Sequence, residues 1–356
     1  CYTTPHIHDY KERLQVLGQN ATDDALIASF RRVESALGDV SLSYFEFGTL
    51  AAFDLLSRQT LDFAVMEVGL GGRLDAVNLL DADCAVITPI GLDHQEFLGP
   101  DLQSIAVEKA GILRKGTPVV CTERTPPAPV LQIAADLQAP LYRRSADFDL
   151  VSDAAGPGSW RFSMAGREVT VAGPAMGGTH QLDNLAAALA AMSLLNPGLI
   201  EGRPGISDAI ENCRVPGRLQ CVHGAPEILL DVGHNELAAE AVATYLEDAG
   251  YDKVVCVLAM LADKSAEAVA QALKHVCGRW LCAGSHGKRG QSGKSLAGRI
   301  ANALPAARVS AFDTLGEAME VAVSSVDEGE TILVFGSFIT VSEAGNWVSR
   351  NIKTAD

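Results

Sequence analysis

Short apolar runs alternate with amphipathic stretches along most of the chain. The runs have the length of buried strands, and the stretches between them repeat apolar residues at helical spacing. The predicted strands are 63–68, 84–90, 118–122, 227–232, 254–260, 280–283 and 331–335. The predicted helices are 24–37, 47–57, 101–113, 181–194, 236–248, 266–276 and 316–325. Because near-continuous apolar strands that alternate with helices form covered parallel sheets, the pattern predicts an α/β fold.

Two segments interrupt this alternation and suggest how the chain is divided. Residues 159–171 read as a β-hairpin with an Ala-Gly turn. Residues 196–217 are rich in proline and glycine, and a new strand–helix series starts after them. The 356 residues are enough for two domains. We therefore predict one domain at 1–216 and a second at 217–356.

Charge and cysteine usage restrict the class of protein. The net charge of -16 disfavours a protein that binds nucleic acid through a basic face. No segment has the ~18 apolar residues of a membrane helix, and the N-terminal residues carry no apolar signal core. The cysteines form no CxxC pair, and Cys84, Cys256 and Cys282 lie in apolar runs. We therefore expect reduced, buried thiols and a cytoplasmic protein with no membrane or nucleic-acid partner.

The most informative motif is EVGLGGRLDAVN, at residues 67–78. Glu67 ends a predicted strand, and a glycine-rich turn follows it. Ligands of open α/β sheets bind at the carboxyl ends of strands, and a carboxylate there suits Mg²⁺ beside phosphate oxygens. For the glycines taken alone, a plain tight turn is the better explanation. A dinucleotide-binding motif does not fit, because Leu74 stands at the third glycine position.

Two polar residues of the first half are further candidates. His94 lies just after the predicted strand 84–90 and could join Glu67 in a Mg²⁺ shell, although a lone histidine is often structural and is an unusual ligand for so hard a cation. Lys109 lies inside the predicted helix 101–113. It is either a surface lysine whose stem covers apolar neighbours or a buried lysine with a lowered pKa.

The second half repeats this arrangement at residues 228–241. Asp231 ends a predicted strand, His234 lies in the turn that follows, and Asn235 can cap the next helix. Such a turn presents backbone N–H groups to an anion. A well-capped turn that binds nothing would have the same sequence, so both alternatives remain open at this point.

Two other segments resemble binding motifs but do not complete them. Residues 286–295 end in Gly-Lys-Ser like a phosphate loop, but Lys288 occupies the position of the loop's first glycine. We expect an exposed basic loop there. His6 and His8 have no partner cluster in the sequence, so a zinc site is not expected at them.

Taken together, the segments resemble the folylpolyglutamate synthase and dihydrofolate synthase branch of the Mur ligase superfamily. The matching segments are 3–14, 43–53, 67–78, 91–99, 105–113, 180–189, 215–218, 230–235 and 335–338. They extend over essentially the whole chain, and their shared order makes the resemblance specific. It implies a Mur-ligase-like α/β fold, with an N-terminal P-loop-type parallel-sheet domain and a C-terminal Rossmann-like domain.

The resemblance also implies an activity. Members add L-glutamate to dihydropteroate and to tetrahydrofolates, using ATP and an acyl-phosphate intermediate. We expect ATP and Mg²⁺ as cofactors, with two metal sites that a monovalent cation could join, and a monomer whose partners are small molecules. A cell-wall peptide ligase is the weaker ligase alternative. A non-catalytic protein that holds a pterin or a partner is the alternative from another class.

Individual roles follow where this sequence matches the family's motifs. The implied Mg²⁺ ligands are Glu67 and His94. The implied catalytic residues are Lys109, carbamylated and therefore anionic, and His234, near the transferred phosphate. The implied ATP contacts are Asn184, Arg218 and Asp231. The implied residues of the pterin pocket are Phe45, Glu46 and Asp75, although Phe45 would also suit a hydrophobic core.

Two departures from the family accompany these matches. Members begin with a strand and a glycine-rich phosphate loop, both ahead of the segment that matches 3–14. This sequence starts after them, at Cys1. We therefore expect an N-terminally truncated chain that lacks the first strand and the phosphate loop and binds ATP poorly. Val232 stands where members have a small residue, and we expect no functional change from it.

Overall fold

The computed structural model describes residues 1–153, 158–200 and 205–352. The chain divides into two compact units, each built from two segments. The N-terminal unit is Cys1–Thr170 with Asn184–Pro204, and the C-terminal unit is Val171–Asp183 with Gly205–Asp356. This division falls elsewhere than the boundary predicted at residue 216, which stays a prediction. Residues 201–204 of the predicted linker lie outside the described residues.

The N-terminal unit contains a parallel and an antiparallel sheet. Its strands are β1 Gln15–Val16, β2 Gln19–Asn20, β3 Ala85–Ile87, β4 Val119–Cys121, β5 Leu141–Arg143, β6 Phe148–Ser152, β7 Ser159–Met164 and β8 Arg167–Ala172, whose end passes into the other unit. Its helices are α1 Asp23–Leu37, α2 Tyr44–Ser57, α3 Gln95–Leu98, α4 Leu102–Ala110, α5 Ala128–Asp136 and α6 Thr179–Leu195, whose first turn belongs to the other unit. Short 3₁₀ helices lie at Tyr10–Arg13, Ala76–Leu79 and Pro197–Leu199.

The C-terminal unit is built around one large sheet. Its strands are β9 Gln220–Gly224, β10 Glu227–Asp231, β11 Val254–Leu258, β12 Cys277–Ala283, β13 Arg308–Phe312 and β14 Thr331–Phe335. Its helices are α7 Ile206–Asn212, α8 Glu236–Asp248, α9 Ala266–Leu273, α10 Gly293–Ala303, α11 Leu315–Ser325 and α12 Phe338–Asn351. Of all the helices in the described residues, none has the length and apolar content that crossing a membrane requires.

The large sheet has the order β13-β12-β11-β14-β10-β9, and only the edge strand β9 is antiparallel to its neighbour. Every residue of β11 and β14 is buried, as their continuous apolar sequences predict. Helices α8, α9 and α10 share one core with the sheet, whereas α11 and α12 contact the sheet without joining that core. Cys256 and Cys282 are buried free thiols in it, and Cys84 of the other unit is half-buried.

In the described part of the N-terminal unit, β3, β4 and β5 form a parallel sheet packed against α4 and α5. The hairpin predicted at 159–171 is confirmed as β7 and β8. Its turn residues, Ala165 and Gly166, have φ of 51° and 77°, the left-handed values that a tight hairpin turn requires. The structure adds β6 antiparallel to β7, which the sequence pattern did not predict.

The strand predicted at 63–68 is wrong. Met66 makes only an isolated bridge with Tyr2, and the backbone of Tyr2 bonds Val65 O and Glu67 N at 2.8 and 2.9 Å. Phe63 is 43% and Val65 is 64% exposed. An apolar sequence becomes a strand of a sheet only where a neighbouring strand continues its hydrogen-bond ladder, and the described residues offer Tyr2 alone. The segment is nevertheless extended, and it leads Glu67 into the glycine turn.

Candidate active site

Asp75 organises the glycine turn that follows Glu67. Its Oδ2 accepts the N–H groups of Gly69 and Leu70 at 3.0 and 2.9 Å. Its Oδ1 accepts the N–H of Val77 at 2.8 Å and so caps the 3₁₀ helix that follows. This carboxylate therefore fixes the loop through backbone hydrogen bonds. Its role in a pterin pocket stays a prediction.

The glycines of this turn allow it to pack closely against its neighbours. Gly71 has φ +70°, and a Cβ there would lie 2.7 Å from Leu98 of α3. A Cβ on Gly72 would lie 2.7 Å from the backbone oxygen of Glu108 in α4. A Cβ on Gly69 would lie 2.5 Å from the ring of Phe45 in α2. The motif is therefore a close-packed junction between helices, which a plain surface turn would not require.

We expect Gly72→Ala to destabilise the N-terminal unit by about 1–3 kcal/mol, because the new methyl group meets backbone atoms that cannot move independently. Thermal or urea unfolding measures this change. The control is Gly298→Ala in α10, where a Cβ meets nothing within 4 Å. That control should stabilise its helix by roughly 0.5–1 kcal/mol. A Gly72→Ala protein as stable as the parent would contradict the close packing.

Polar bonds connect the loop to α4. Arg73 Nη2 and Glu108 Oε1 form an ion pair at 2.9 Å, and the Arg73 N–H donates to Glu108 O at 2.8 Å. The side-chain amide of Asn78 donates to Gly111 O at 3.1 Å. Since Glu108 and Gly111 lie on both sides of Lys109 in the chain, these bonds fix that part of α4 to the loop.

Lys109 is the titratable group that this junction places beside the loop. It lies in the last turn of α4, and its side chain is half-buried. Burial lowers the pKa of Lys109, and the negative charge of Asp93 partly opposes this effect. No residue of the described chain forms an ion pair with it. Of the two alternatives for Lys109, the structure thus favours the buried lysine with a lowered pKa over the surface lysine.

Glu67 and His94 occupy the positions after their respective apolar segments. Glu67 is exposed, and its Oε2 accepts the N–H of Thr4 at 2.7 Å. His94 has φ 52°, in the left-handed region, and is the N-cap residue of the short helix α3. Its N–H donates to Asp93 Oδ1 at 2.8 Å. Thr4 and Asp93 are contacts that the sequence did not predict, because neither stands in a recognisable spacing with its partner.

Phe45 and Glu46 lie in the first turn of α2 and have different surroundings. Phe45 is half-buried, and its ring stacks on Tyr2 with centroids 6.3 Å apart. Glu46 is exposed and completes a capping box, in which its Oε2 accepts the N–H of Ser43 at 2.6 Å. Phe45 fits either a core position or the wall of a pocket. The role of Glu46 in ligand binding stays a prediction, because its carboxylate already serves the helix.

In the C-terminal unit, Asp231 is a buried carboxylate at the end of β10. Its two oxygens accept the N–H groups of Leu219 and Gly233 at 2.9 and 2.8 Å. Burial raises the pKa of Asp231, and these hydrogen bonds and the charge of Arg218 oppose the rise. The Val232 N–H also donates to Gly217 O at 2.8 Å. The exposed Arg218 is therefore held in a segment fixed to the end of this strand.

The remaining residues flank this segment or lie on α6. His234 Nδ1 lies 3.1 Å from Val232 O, which indicates a protonated Nδ1. Asn235 caps α8 through the Ala238 N–H, as predicted. The sequence reasoning missed His180. Burial lowers the pKa of His180, and the charge of the nearby Asp231 partly opposes this effect. Asn184 is exposed on α6, in the N-terminal unit.

Comparison with known proteins gives consistent matches to a family model, a curated relative and two solved structures. Residues 217–338 match the family model of the Mur ligase glutamate ligase domain. The dihydrofolate synthase/folylpolyglutamate synthase of Escherichia coli (strain K12) is 38% identical over 96% of this chain and 78% of its own length.

Two solved structures are similar along nearly the whole chain. Escherichia coli FolC in complex with DHPP and ADP has a TM-score of 0.90 and 36% identity, covering 99% of this chain and 82% of that one. The bifunctional folylpolyglutamate synthase/dihydrofolate synthase of Yersinia pestis, complexed with AMPPNP and Mn ion, has a TM-score of 0.87 and 36% identity. Coverage there is 98% of this chain and 81% of the other.

A ligase of the Mur type is defined by three features. They are the parallel sheet of the N-terminal unit, the doubly wound sheet of the C-terminal unit and the glutamate ligase domain. The predicted fold class is thereby confirmed. Within this class, the chain belongs to the dihydrofolate synthase/folylpolyglutamate synthase family.

Proposed function

We propose that this protein is an ATP-dependent amide ligase that adds L-glutamate to dihydropteroate and to tetrahydrofolates. The observation that carries the proposal is the 38% identity to the bifunctional Escherichia coli enzyme over 96% of the chain. The ADP, DHPP, AMPPNP and Mn of the similar structures support it. We also propose a cytoplasmic monomer, and the eight free thiols are compatible with a reducing compartment.

The two predicted domains would divide the work. Residues 1–216 would hold the metal ions and part of ATP, and residues 217–356 would hold glutamate and contribute the ATP contacts Arg218 and Asp231. The glutamate ligase match supports this division, because it begins at Gly217 and covers the doubly wound sheet. Carboxyl ends of parallel strands are the usual ligand sites of such sheets, and Asp231 lies at one of them.

The residues present fit a divalent cation. Glu67 is an exposed carboxylate, and the Thr4 N–H orients one of its oxygens at 2.7 Å. Carboxylate oxygen is the donor that Mg²⁺ prefers, whereas the His94 nitrogen is a less usual ligand. Glu67 and His94 would therefore hold Mg²⁺, in a site that we propose has two metal positions and room for a monovalent cation. When bound, Mg²⁺ neutralises phosphate charge.

The proposed chemistry proceeds in two steps. The substrate carboxylate attacks the γ-phosphate of ATP, which forms an acyl phosphate and releases ADP. The amine of glutamate then attacks the acyl carbon, and phosphate leaves as the amide forms. Both steps bring anions together, so the protein contributes mainly positioning and electrostatic stabilisation.

The chain's own residues would act on these reactants. Lys109 would carry a carbamate, which the lowered pKa of its amine favours. His234 would lie near the transferred phosphate. The proposed ATP contacts are Asn184, Arg218 and Asp231. The proposed pterin contacts are Phe45, Glu46 and Asp75, and the close approach of the Phe45 ring to Gly69 of the glycine loop supports this grouping.

The activity assay tests the proposal directly. The protein is incubated with ATP, Mg²⁺, dihydropteroate and glutamate, and ADP and the glutamylated product are measured, the latter by mass spectrometry. We expect ADP release that requires both glutamate and dihydropteroate. Omission of either substrate is the control. Dihydropteroate binding without product would instead favour the non-catalytic pterin-binding protein, and absence of both would contradict the proposed substrate.

A further inference from the structure

Arg13 is a buried cation in the N-terminal unit, with only 9% of its surface exposed. Its Nε donates to His6 Nδ1 at 2.8 Å. Its guanidinium carbon lies 5.5 Å from the ring centroid of Tyr10 and 5.6 Å from that of Tyr44. It also interacts with the hydroxyl of Tyr2. Among the residues that the structure describes, no carboxylate forms an ion pair with it.

The described groups around Arg13 include no anion that pairs with its charge. The carboxylate of Glu12, its neighbour in sequence, accepts the N–H groups of Ile7, His8 and Asp9 at 2.7, 2.9 and 2.8 Å. Burial raises the pKa of Tyr10 to about 12, so its hydroxyl stays neutral at physiological pH. A buried charge without an anionic partner is unfavourable for folding, and an apolar side chain would be the more stable choice here. With Nε bonded to His6, the terminal N–H groups of the guanidinium remain as donors to the hydrogen-bond acceptors of a ligand.

Arg13 borders the surface on which the pterin contacts were predicted. Its partner Tyr2 stacks on Phe45, which in turn lies against Gly69 of the glycine loop. Tyr44 precedes Phe45 and is 67% exposed. A buried cation and an exposed aromatic ring thus lie side by side at the N-terminus of α2. This pair suits a flat aromatic ligand with hydrogen-bond acceptors on one edge.

We propose that Arg13 recognises the acceptor edge of a dihydropterin, formed by its 4-oxo group and the unprotonated N5 beside it, while the Tyr44 ring packs against the pterin face. This proposal rests on the proposed function, which supplies the substrate class. A guanidinium presents parallel N–H donors in a planar fork, which matches two acceptors on one edge. Arg13 then determines specificity for the oxo form and takes no part in phosphoryl transfer.

The test compares two ligands that differ in the substituent on pterin carbon 4 and in the N3 proton that accompanies the oxo group, and the Arg13 variants separate these two differences. Isothermal titration calorimetry measures the binding of dihydropteroate and of its 4-amino analogue to the full chain. We expect the parent protein to bind the 4-oxo ligand about 10- to 100-fold more tightly, because the amino group replaces an acceptor by a donor facing Arg13. In Arg13→Met, the affinity for the 4-oxo ligand should fall, and the ratio of the two affinities should approach one.

A second arginine of the same unit provides the matched control. Arg32 forms an ion pair with Asp54 at 2.6 Å, so Arg32→Met removes a structural arginine and should leave the ratio unchanged. Circular dichroism verifies the fold of each variant. If Arg13→Met does not fold, Arg13→Lys serves instead, because it keeps the charge and loses the planar fork. In Arg13→Lys, the ratio of the affinities for the 4-oxo and 4-amino ligands should fall at least about threefold.

Each other outcome contradicts the proposal in a distinguishable way. If the parent protein binds both ligands equally, the role of Arg13 is wrong and the proposed function is unaffected. If Arg13→Met weakens both ligands by the same factor, Arg13 only supports the fold. If the parent protein binds neither ligand, the proposed substrate class is wrong, and the role of Arg13 is wrong with it.

Discussion

Glu67→Gln is expected to lower kcat by at least about 1000-fold while leaving the fold intact, which corresponds to ~4 kcal/mol of lost transition-state stabilisation. The amide is nearly the same size as the carboxylate, and its oxygen can still accept the Thr4 N–H. Only the negative charge is lost, and that charge is what a metal ligand contributes. Glutamate-dependent ADP release measures the rate.

Metal binding separates this role from a structural one. Paramagnetic titration with Mn²⁺ should show weaker binding to Glu67→Gln, and thermal unfolding should show an unchanged transition. The control is Glu34→Gln, which changes an exposed glutamate on α1 and should alter neither quantity. A Glu67→Gln enzyme with the parent rate, in a preparation whose parent is active, would refute the metal role.

Lys109→Ala is expected to be inactive, with kcat lowered by about 1000-fold, a loss of ~4 kcal/mol. The proposed carbamate forms when the neutral amine attacks CO₂ and releases a proton. Burial lowers the pKa of Lys109, so more of the neutral amine is present near pH 7 than on an exposed lysine. Acetate or formate should restore part of the activity by supplying an anion in the space that the side chain leaves.

The carbamate itself can be observed by carbon NMR, without an activity assay. The parent protein in ¹³C-labelled bicarbonate should give a carbamate carbon signal that Lys109→Ala lacks. Lys115→Ala is the matched control, because Lys115 is exposed shortly after α4. It should keep the signal and the activity. A folded Lys109→Ala that no small carboxylate rescues, together with a parent protein without the signal, would exclude the carbamate.

The sequence pattern located the elements whose burial is nearly complete. Strand β14 and helix α8 begin and end where the pattern predicts, at 331–335 and 236–248. Both lie in the C-terminal core, where apolar periodicity reflects the actual packing. Elements with polar or short sequences, such as β13 and α3, were missed because half-exposed residues weaken the periodic signal.

Local sequence also suggested where candidate site residues lie. Predicted strand ends followed by glycine turns pointed to Glu67 and Asp231, although only Asp231 ends an actual strand. The helix cap at Asn235 was predicted correctly. The individual roles came from the resemblance and stay predictions. Local sequence did not reveal that the carboxylates of Asp75 and Glu46 bind backbone N–H groups, because side-chain direction depends on the folded backbone.

The sequence by itself determined the α/β class and the family, because these depend on periodicity and on ordered motifs. Only the tertiary structure decided which charged groups are buried. Lys109 is half-buried, and the loop beside it is fixed to α4 by contacts such as Arg73–Glu108, which are 35 residues apart. Arg13 is enclosed by Tyr10 and by Tyr44 of a different helix. Burial of a charge is set by such long-range packing, and no local pattern of residue types encodes it.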